Sequence, residues 1–233
     1  MSEEIITANH WLVITNPKSG KRRLAKQREF IIHELTTVGI PYIYKETEYP
    51  RHAVEIAKKY ARLDCQNFLI LGGDGTISEV INGIFTANIP DTGKIKIALI
   101  PRGTGNDWGR FWKLRKNDKE SMKVFLQGNA QLIDIGKIDY RTDNQEQEHF
   151  FINSVGFGLD GNVCDLTHQL KKYTGSFSFL YTIALLIAVF RYQSAKAEIV
   201  INGIKHDIWL FTMNIANGSY SGGGIRQNPS ALP

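Results

Sequence analysis

The chain has 233 residues, 42% hydrophobic and 22% charged, with a net charge of +5. That is enough apolar material for a real core in one large unit or two small ones. No dense Lys/Arg block with interleaved aromatics argues for nucleic acid, the two cysteines fit no metal or redox spacing, and the polar start MSEEIITANH is no signal peptide. The positive balance suits anionic partners, phosphates or an anionic membrane surface among them. Cys65 and Cys164 read as buried thiols in a reducing compartment, with the cytoplasm as default.

In chain order, WLVIT (11–15) is a short apolar run broken by NPKSGK. RRLAKQREFIIHEL follows, with Leu24, Phe30, Ile31 and Leu35 near helical spacing. IPYIYKE (40–46) is rich in β-formers, and RHAVEIAKKYARL repeats the helical pattern through Ala53, Ile56, Ala57 and Tyr60. NFLIL (67–71) reads as a third strand. Ile77, Val80, Ile81 and Ile84 then mark one face of a helix. KIKIALI (94–100) is a fourth strand ended by Pro101. Strands alternating with helices predict a parallel sheet covered on both faces. The rhythm changes near residue 131. QLIDIGKIDYR and EHFFINSVGF read as strands around a polar excursion, TDNQEQEH. A helical stretch covers roughly 160–193, and AEIVINGIKHDIWLFTMNIA reads as a hairpin turning at Asn202-Gly203. The division expected is 1–130 for a nucleotide-binding α/β domain and 131–233 for a β-rich domain. The longest apolar run, FSFLYTIALLIAVF (177–190), is shorter than the roughly 20 residues of a spanning helix. It reads as a buried helix, or as a membrane-facing surface.

Three of the first four strands end in loops rich in glycine and small hydroxyl residues: NPKSG (16–20), GGDGT (72–76) and PRGTGND (101–107). Ligands of an open parallel sheet bind at the carboxyl ends of its strands. Glycine allows close backbone approach, successive amides form anion nests, and a helix N-terminus favours phosphate. Together the loops point to a phosphate site. Asp74 puts a carboxylate in that site. It can face Mg²⁺ beside substrate phosphates, accept a proton from an attacking hydroxyl, or bond turn amides as an Asx residue. Lys18 and Lys21 can neutralise phosphate or be solvated. Asn82 either ties loops together or faces solvent.

GGDGTISEVINGI, preceded by NPKSGK and followed by IPRGTGNDWGR, resembles the diacylglycerol kinase catalytic domain, the superfamily of diacylglycerol, sphingosine and ceramide kinases and bacterial lipid kinases. FINSVGFGLDGNV (151–163) and NGSYSGGGIRQNPSALP (217–233) match two later family segments. GGDGT alone is shared with NAD kinases and phosphofructokinases; PRGTGND and GFGLDG point to the lipid branch. The resemblance implies a three-layer α/β nucleotide domain with a parallel sheet, followed by a β-sandwich, and ATP- and Mg²⁺-dependent phosphorylation of a hydroxyl on diacylglycerol or a related lipid, met at a membrane surface. Carried over by motif, Asn16, Pro17, Lys18, Ser19, Gly20, Gly73, Asp74, Gly75, Thr76, Ile77, Ser78, Glu79, Gly103 and Thr104 contact the nucleotide. Thr47, in TEYPRHA, matches a threonine near ATP, and Asp160 matches a lipid-headgroup aspartate of sphingosine kinases. Asp74 and Asp160 are the candidate catalytic residues.

The family pattern continues past PSAL into an Asp-Gly segment whose acidic residue is the proposed proton acceptor of the bacterial branch, whereas this sequence stops at Pro233. The expectation is an incomplete sandwich with an open edge, poorly stable alone or paired with a second copy. A soluble-metabolite kinase of NAD kinase type and a non-catalytic nucleotide- or lipid-binding module are the alternatives.

Overall fold

The computed structural model describes residues 6–17, 24–174 and 180–233. Four parallel strands, β1 (Trp11–Thr15), β2 (Tyr42–Glu46), β3 (Asn67–Gly72) and β4 (Lys96–Pro101), form one sheet in the order β2-β1-β3-β4. The helices of this region are α1 (Leu24–Thr37), α2 (His52–Arg62), α3 (Asp74–Phe85), α4 (Asp107–Phe111) and α5 (Asp118–Leu126). Alternate strand residues serve opposite faces. Leu12, Ile14, Phe68, Ile70 and Leu99 pack with α2 and α3, whereas Val13, Leu69, Leu71 and Ile100 pack with Ile31 and Leu35 of α1 and Met122 of α5. Three layers result. The central strand β3 is buried throughout, which is why its sequence is a continuous apolar run.

The connection from β2 to β3 passes over β1, so sheet growth reverses between β1 and β3. Their carboxyl ends lie side by side, with Thr15 opposite Leu71. A crevice opens at such a switch point, and ligands of this architecture bind there. On the helical layer beside it, α2 and α3 pack with almost no gap. A Cβ on Gly83 would sit 2.4 Å from the Val54 carbonyl oxygen and 2.7 Å from the Ala57 Cβ.

The second region is built of antiparallel pairs. β5 (Gly136–Thr142) pairs with β6 (Gln145–Phe151), β7 (Ser154–Gly158) with β10 (Thr212–Ala216), and β8 (Ala195–Ile201) with β9 (Ile204–Leu210). Helices α6 (Leu159–Thr174) and α7 (Leu180–Arg191) share a small core of Leu159, Val163, Ala184 and Ala188. Asn82 joins the two regions. Its amide donates to the Phe150 carbonyl at 2.8 Å, and its oxygen accepts the Phe150 N–H at 2.9 Å. It is a tie, not a solvated residue.

Several expectations are corrected. The polar stretch TDNQEQEH is largely strand, turning at Asp143 and Asn144, both at positive φ (48° and 63°). Its glutamates pair across the ladder on one face, Arg141 with Glu146 at 2.8 Å and Lys137 with Glu148 at 3.3 Å, and Gln145, Gln147 and His149 occupy the other, so no apolar alternation reveals the strand. EHFFINSVGF divides between β6 and β7, which have different partners. The helical stretch at 160–193 is two helices. The 197–216 hairpin ends at Leu210, after the Asn202-Gly203 turn, and Thr212–Ala216 leaves it for β7. Cys65 is buried but Cys164 is exposed, one position round the helix from buried Val163. In α7, Leu180, Ala184 and Ala188 face inward while Ile183, Leu186, Val189 and Phe190 are exposed, so this helix is buried on one side only. Residues 177–179 of that apolar run lie outside the described residues.

Gly83→Val should destabilise the protein by about 1–3 kcal/mol, the usual cost of overpacking, because the obstructing atom is backbone. Urea denaturation of wild type and variant measures it.

Candidate active site at the switch point

Backbone contact between two loops builds this site. GGDGT turns β3 into α3, and PRGTGND turns β4 into α4. A Cβ on Gly73 would lie 2.6 Å from the Gly103 Cα, and a Cβ on Gly103 would lie 2.7 Å from the Gly73 Cα. Only glycine at both positions permits the approach. The Arg102 N–H donates to the Gly72 carbonyl at 2.7 Å, extending the β3–β4 ladder into the loops. Asn106 stands in the left-handed region at φ 51°, which asparagine tolerates. Its side chain closes the second loop on itself, accepting the Gly103 N–H and donating to the Gly103 carbonyl, each at 2.7 Å. Arg102 pairs with Asp118 and anchors the loop to α5.

Two carboxylates meet over these loops. Asp74, in the first turn of α3, accepts the Trp108 N–H on Oδ1 at 3.2 Å. Asp107, in the first turn of α4, accepts the Gly223 N–H on Oδ2 at 2.8 Å. Its Oδ1 is buried and accepts no hydrogen bond; the Arg110 Nε is 4.0 Å away. Both acids point at the space where Gly105 lacks a side chain: a Cβ there would lie 3.0 Å from Asp74 Oδ2 and 3.4 Å from Asp107 Oδ2. Burial pushes the Asp107 carboxyl above the ordinary carboxylate range; the Gly223 N–H opposes this, the Asp74 charge adds to it, and Arg110 opposes it. The first-turn amides of α3 have no intrahelical partner and face the same end of the sheet.

The other expected residues distribute around this point. Asn16 follows β1, and its amide donates to the Thr76 hydroxyl at 3.4 Å, joining the first loop to GGDGT. Pro17 is exposed beside it, and Lys18, Ser19 and Gly20, with Lys21, lie outside the described residues. Thr47 is buried at the end of β2, its N–H donating to the Thr15 carbonyl at 2.9 Å. Gly73 caps α3 and Gly75 is exposed in its first turn. Ile77 stands apart: its side chain is 1% exposed in the core and its N–H donates to the Gly73 carbonyl, so it supports the loop from beneath. The Ser78 carbonyl accepts from Asn82, and Glu79 accepts the Arg51 N–H at 3.2 Å. Thr104 is exposed, and its carbonyl accepts from Lys116 at 3.1 Å.

Asp160 sits in the first turn of α6. Its Oδ2 accepts from Gln227 at 2.9 Å and from Asn214 at 3.2 Å. It lies so close to β7 that a Cβ on Gly156 would be 2.5 Å from its own Cβ. Tyr181 feels both acidic centres: its phenol is pushed up to about 12 by burial first, then by Cys164, Asp160 and Asp107. Sequence reasoning missed Asp107, Gly223 and Gln227. Asp107 was legible only as the last letter of PRGTGND, and nothing local announced its partner at Gly223.

Residues 10–138 match the diacylglycerol kinase catalytic domain, more than half of the chain. The chain belongs to the diacylglycerol kinase catalytic-domain family. That places it among the lipid kinases, which are phosphotransferases. Residues 153–233 match the YegS C-terminal NAD kinase beta sandwich-like domain, so an α/β unit with a parallel sheet is followed by a β-sandwich-like one. The Bacillus subtilis protein YtlR is 24% identical over 97% of this chain and 74% of its own length. A Staphylococcus carnosus diacylglycerol kinase is 27% identical over 88% of this chain and 63% of its own. A crystal structure of a diacylglycerol kinase from Bacillus anthracis has the same fold, with a TM-score of 0.72 over 96% of this chain and 69% of that one, at 21% identity. The chain thus spans 63% to 74% of the length of these two curated relatives.

The buried carboxyl of Asp107 gives a stability test with a definite sign. Its proton is held more tightly in the folded chain than in the unfolded one, so its ionisation costs stability as pH rises through its raised value. Asp107→Asn keeps an acceptor for the Gly223 N–H and removes the charge. Its Tm should equal or exceed that of wild type at pH 7, with the difference closing toward acid pH, as measured by thermal melts across pH.

Proposed function

We propose that the protein transfers the γ-phosphoryl group of ATP to a hydroxyl of diacylglycerol or a related lipid. The observation that carries this reading is the convergence of Asp74 and Asp107 on the space over Gly105, beside the first turn of α3 at the switch point. Phosphoryl transfer asks for positioning and charge neutralisation more than for covalent chemistry. The amides of Asp74, Gly75 and Thr76 and the dipole of α3 hold the phosphates; Asn16, Thr47, Gly73, Gly103 and Thr104 shape the crevice around the nucleotide.

A divalent cation fits the acidic pair. Asp74 Oδ2 and Asp107 Oδ2 border a cradle that a side chain on Gly105 would fill, and the buried Asp107 Oδ1, ion-paired with Arg110, accepts no hydrogen bond. Hard oxygen ligands of this number suit Mg²⁺, which takes one or two carboxylates and completes its shell with phosphate and water. Among the described residues no group of three or more His, Cys, Asp or Glu forms a cage of its own, consistent with a cation shared with the nucleotide. Bound there, Mg²⁺ would neutralise charge on the phosphates in flight. Asp74 gives one oxygen to Trp108 and turns the other to the cradle, which favours cation holding as its role. Asp160, in the second region, holds the lipid hydroxyl.

The lipid is met at a membrane surface. No helix among the described residues is long and apolar enough to cross a membrane, but Ile183, Leu186, Val189 and Phe190 give α7 an exposed apolar face suited to shallow contact with a bilayer.

Transfer of labelled phosphate from ATP to diacylglycerol, sphingosine and NAD tests the reading. Label should enter a lipid and not NAD; label in NAD alone points to a soluble-metabolite kinase, and nucleotide binding without transfer to a non-catalytic module. Asp74→Asn can still accept the Trp108 N–H and should fold normally, yet transfer should fall by about 10²–10⁴-fold, the typical cost of losing one catalytic group.

A further inference from the structure

The segment 221–228 touches both acidic centres. Its tip is a run of three glycines, Gly222, Gly223 and Gly224, at φ 59°, 87° and 121°. Its base is closed by reciprocal bonds between Ser221 and Ile225, each 2.9 Å. A Cβ on Gly222 would fall 2.2 Å from the Tyr181 ring, so the tip is seated against α7. From the tip, the Gly223 N–H reaches Asp107; just beyond the closed base, Gln227 reaches Asp160.

The two amides on Asp160 turn their NH₂ groups to a carboxylate that only accepts, and further partners take up their oxygens. The Ser221 hydroxyl donates to Gln227 Oε1, which leaves the Gln227 NH₂ for Asp160. The Asn228 NH₂ donates to Asn214 Oδ1 at 3.0 Å, which leaves the Asn214 NH₂ for Asp160. A flipped amide would set oxygen against oxygen in either case. Both donors land on Oδ2, and no donor among the described residues reaches Oδ1. Two N–H bonds on one oxygen fix the rotation of the carboxylate and leave the second oxygen for a ligand's donor.

From this geometry we infer that Gln227 and Asn214 are positioning residues for Asp160, oriented by Ser221 and Asn228, and that the segment carrying Gln227 sets the register of the lipid-side carboxylate against Asp107 on the cation side. The ligand group received by Asp160 is a hydrogen-bond donor, the acceptor hydroxyl of the lipid. This inference rests on the lipid-kinase reading of the site.

The test is Gln227→Met, which keeps the length and removes the donor. The kcat/KM for diacylglycerol should fall about tenfold or more, as for loss of one hydrogen bond to a charged group, with KM for ATP unchanged. In an Asp160→Asn background the same substitution should cost nothing further, because its effect passes through Asp160. If Gln227→Met fails to fold, Ser221→Ala, which removes only the hydroxyl orienting the amide, should give the same selective loss on a smaller scale. Equal losses for lipid and ATP, or full additivity with Asp160→Asn, would make Gln227 merely structural and overturn the inference. Wild type that transfers to lipid while Gln227→Met and Ser221→Ala match it sinks the inference alone; wild type that binds ATP but phosphorylates no lipid sinks the lipid reading and this inference with it. Independently of turnover, Asp160→Asn should shift the side-chain NH₂ resonances of Gln227 and Asn214, and unmoved resonances would rule out the clamp.

Discussion

The site depends on one contact, the backbone approach of Gly73 to Gly103. Two strand-ending loops that diverged by the width of a single side chain would carry Asp74 and Asp107 apart, and with them the first turns of α3 and α4. The approach is held from several directions. The β3–β4 ladder runs one bond past the strands at Arg102, Asn106 closes its loop in a conformation that few residues accept, and Arg102 is pinned to Asp118. These bonds set the positions of Asp74 and Asp107.

Around that fixed point the chain gathers distant parts. Asp74 and Asp107 come from consecutive strand ends of one sheet, while Asp160, Gly223 and Gln227 come from the second region. Asn82 ties α3 to β6 through both directions of the Phe150 peptide, and Phe85 meets Phe150 with ring centroids 5.1 Å apart. The segment 221–228 ties α4 to α6 on the other side. A kinase that must bring a nucleotide and a lipid to the same point needs such cross-ties, because misplacement by about an ångström costs orders of magnitude in rate.

The second region differs in character from the first. Its sheets are two-stranded ribbons that turn large side chains outward, among them Val200, Ile201, Ile204 and Trp209. A ribbon of two strands cannot cover itself, so these residues stay exposed where the first region buries every residue of its central strand.

The amino-acid sequence by itself determined the layers of the first region. Ala53, Ile56, Ala57 and Tyr60 in α2, and Ile77, Val80, Ile81 and Ile84 in α3, follow helical periodicity because each helix buries one stripe. β3 reads as unbroken apolar residues because both its faces are covered. Glycine-rich strand ends announced the loops, since backbone approach needs glycine whatever surrounds it. Local pattern fails where stability comes from elsewhere. β6 hid in a polar stretch because its backbone ladder with β5 and its end at half-buried Phe150 and buried Phe151 hold it while the rest of the strand is exposed and polar, and Cys164 was misread because exposure follows helix rotation. Only the tertiary structure decided that Asp107 is a partner of Asp74 and bonded to a glycine over a hundred residues away, and that two amides converge on one oxygen of Asp160. Such contacts are set by how sheets, helices and one returning segment pack. A carboxylate's burial and a side-chain amide's orientation are properties of that packing, absent from any local stretch of sequence.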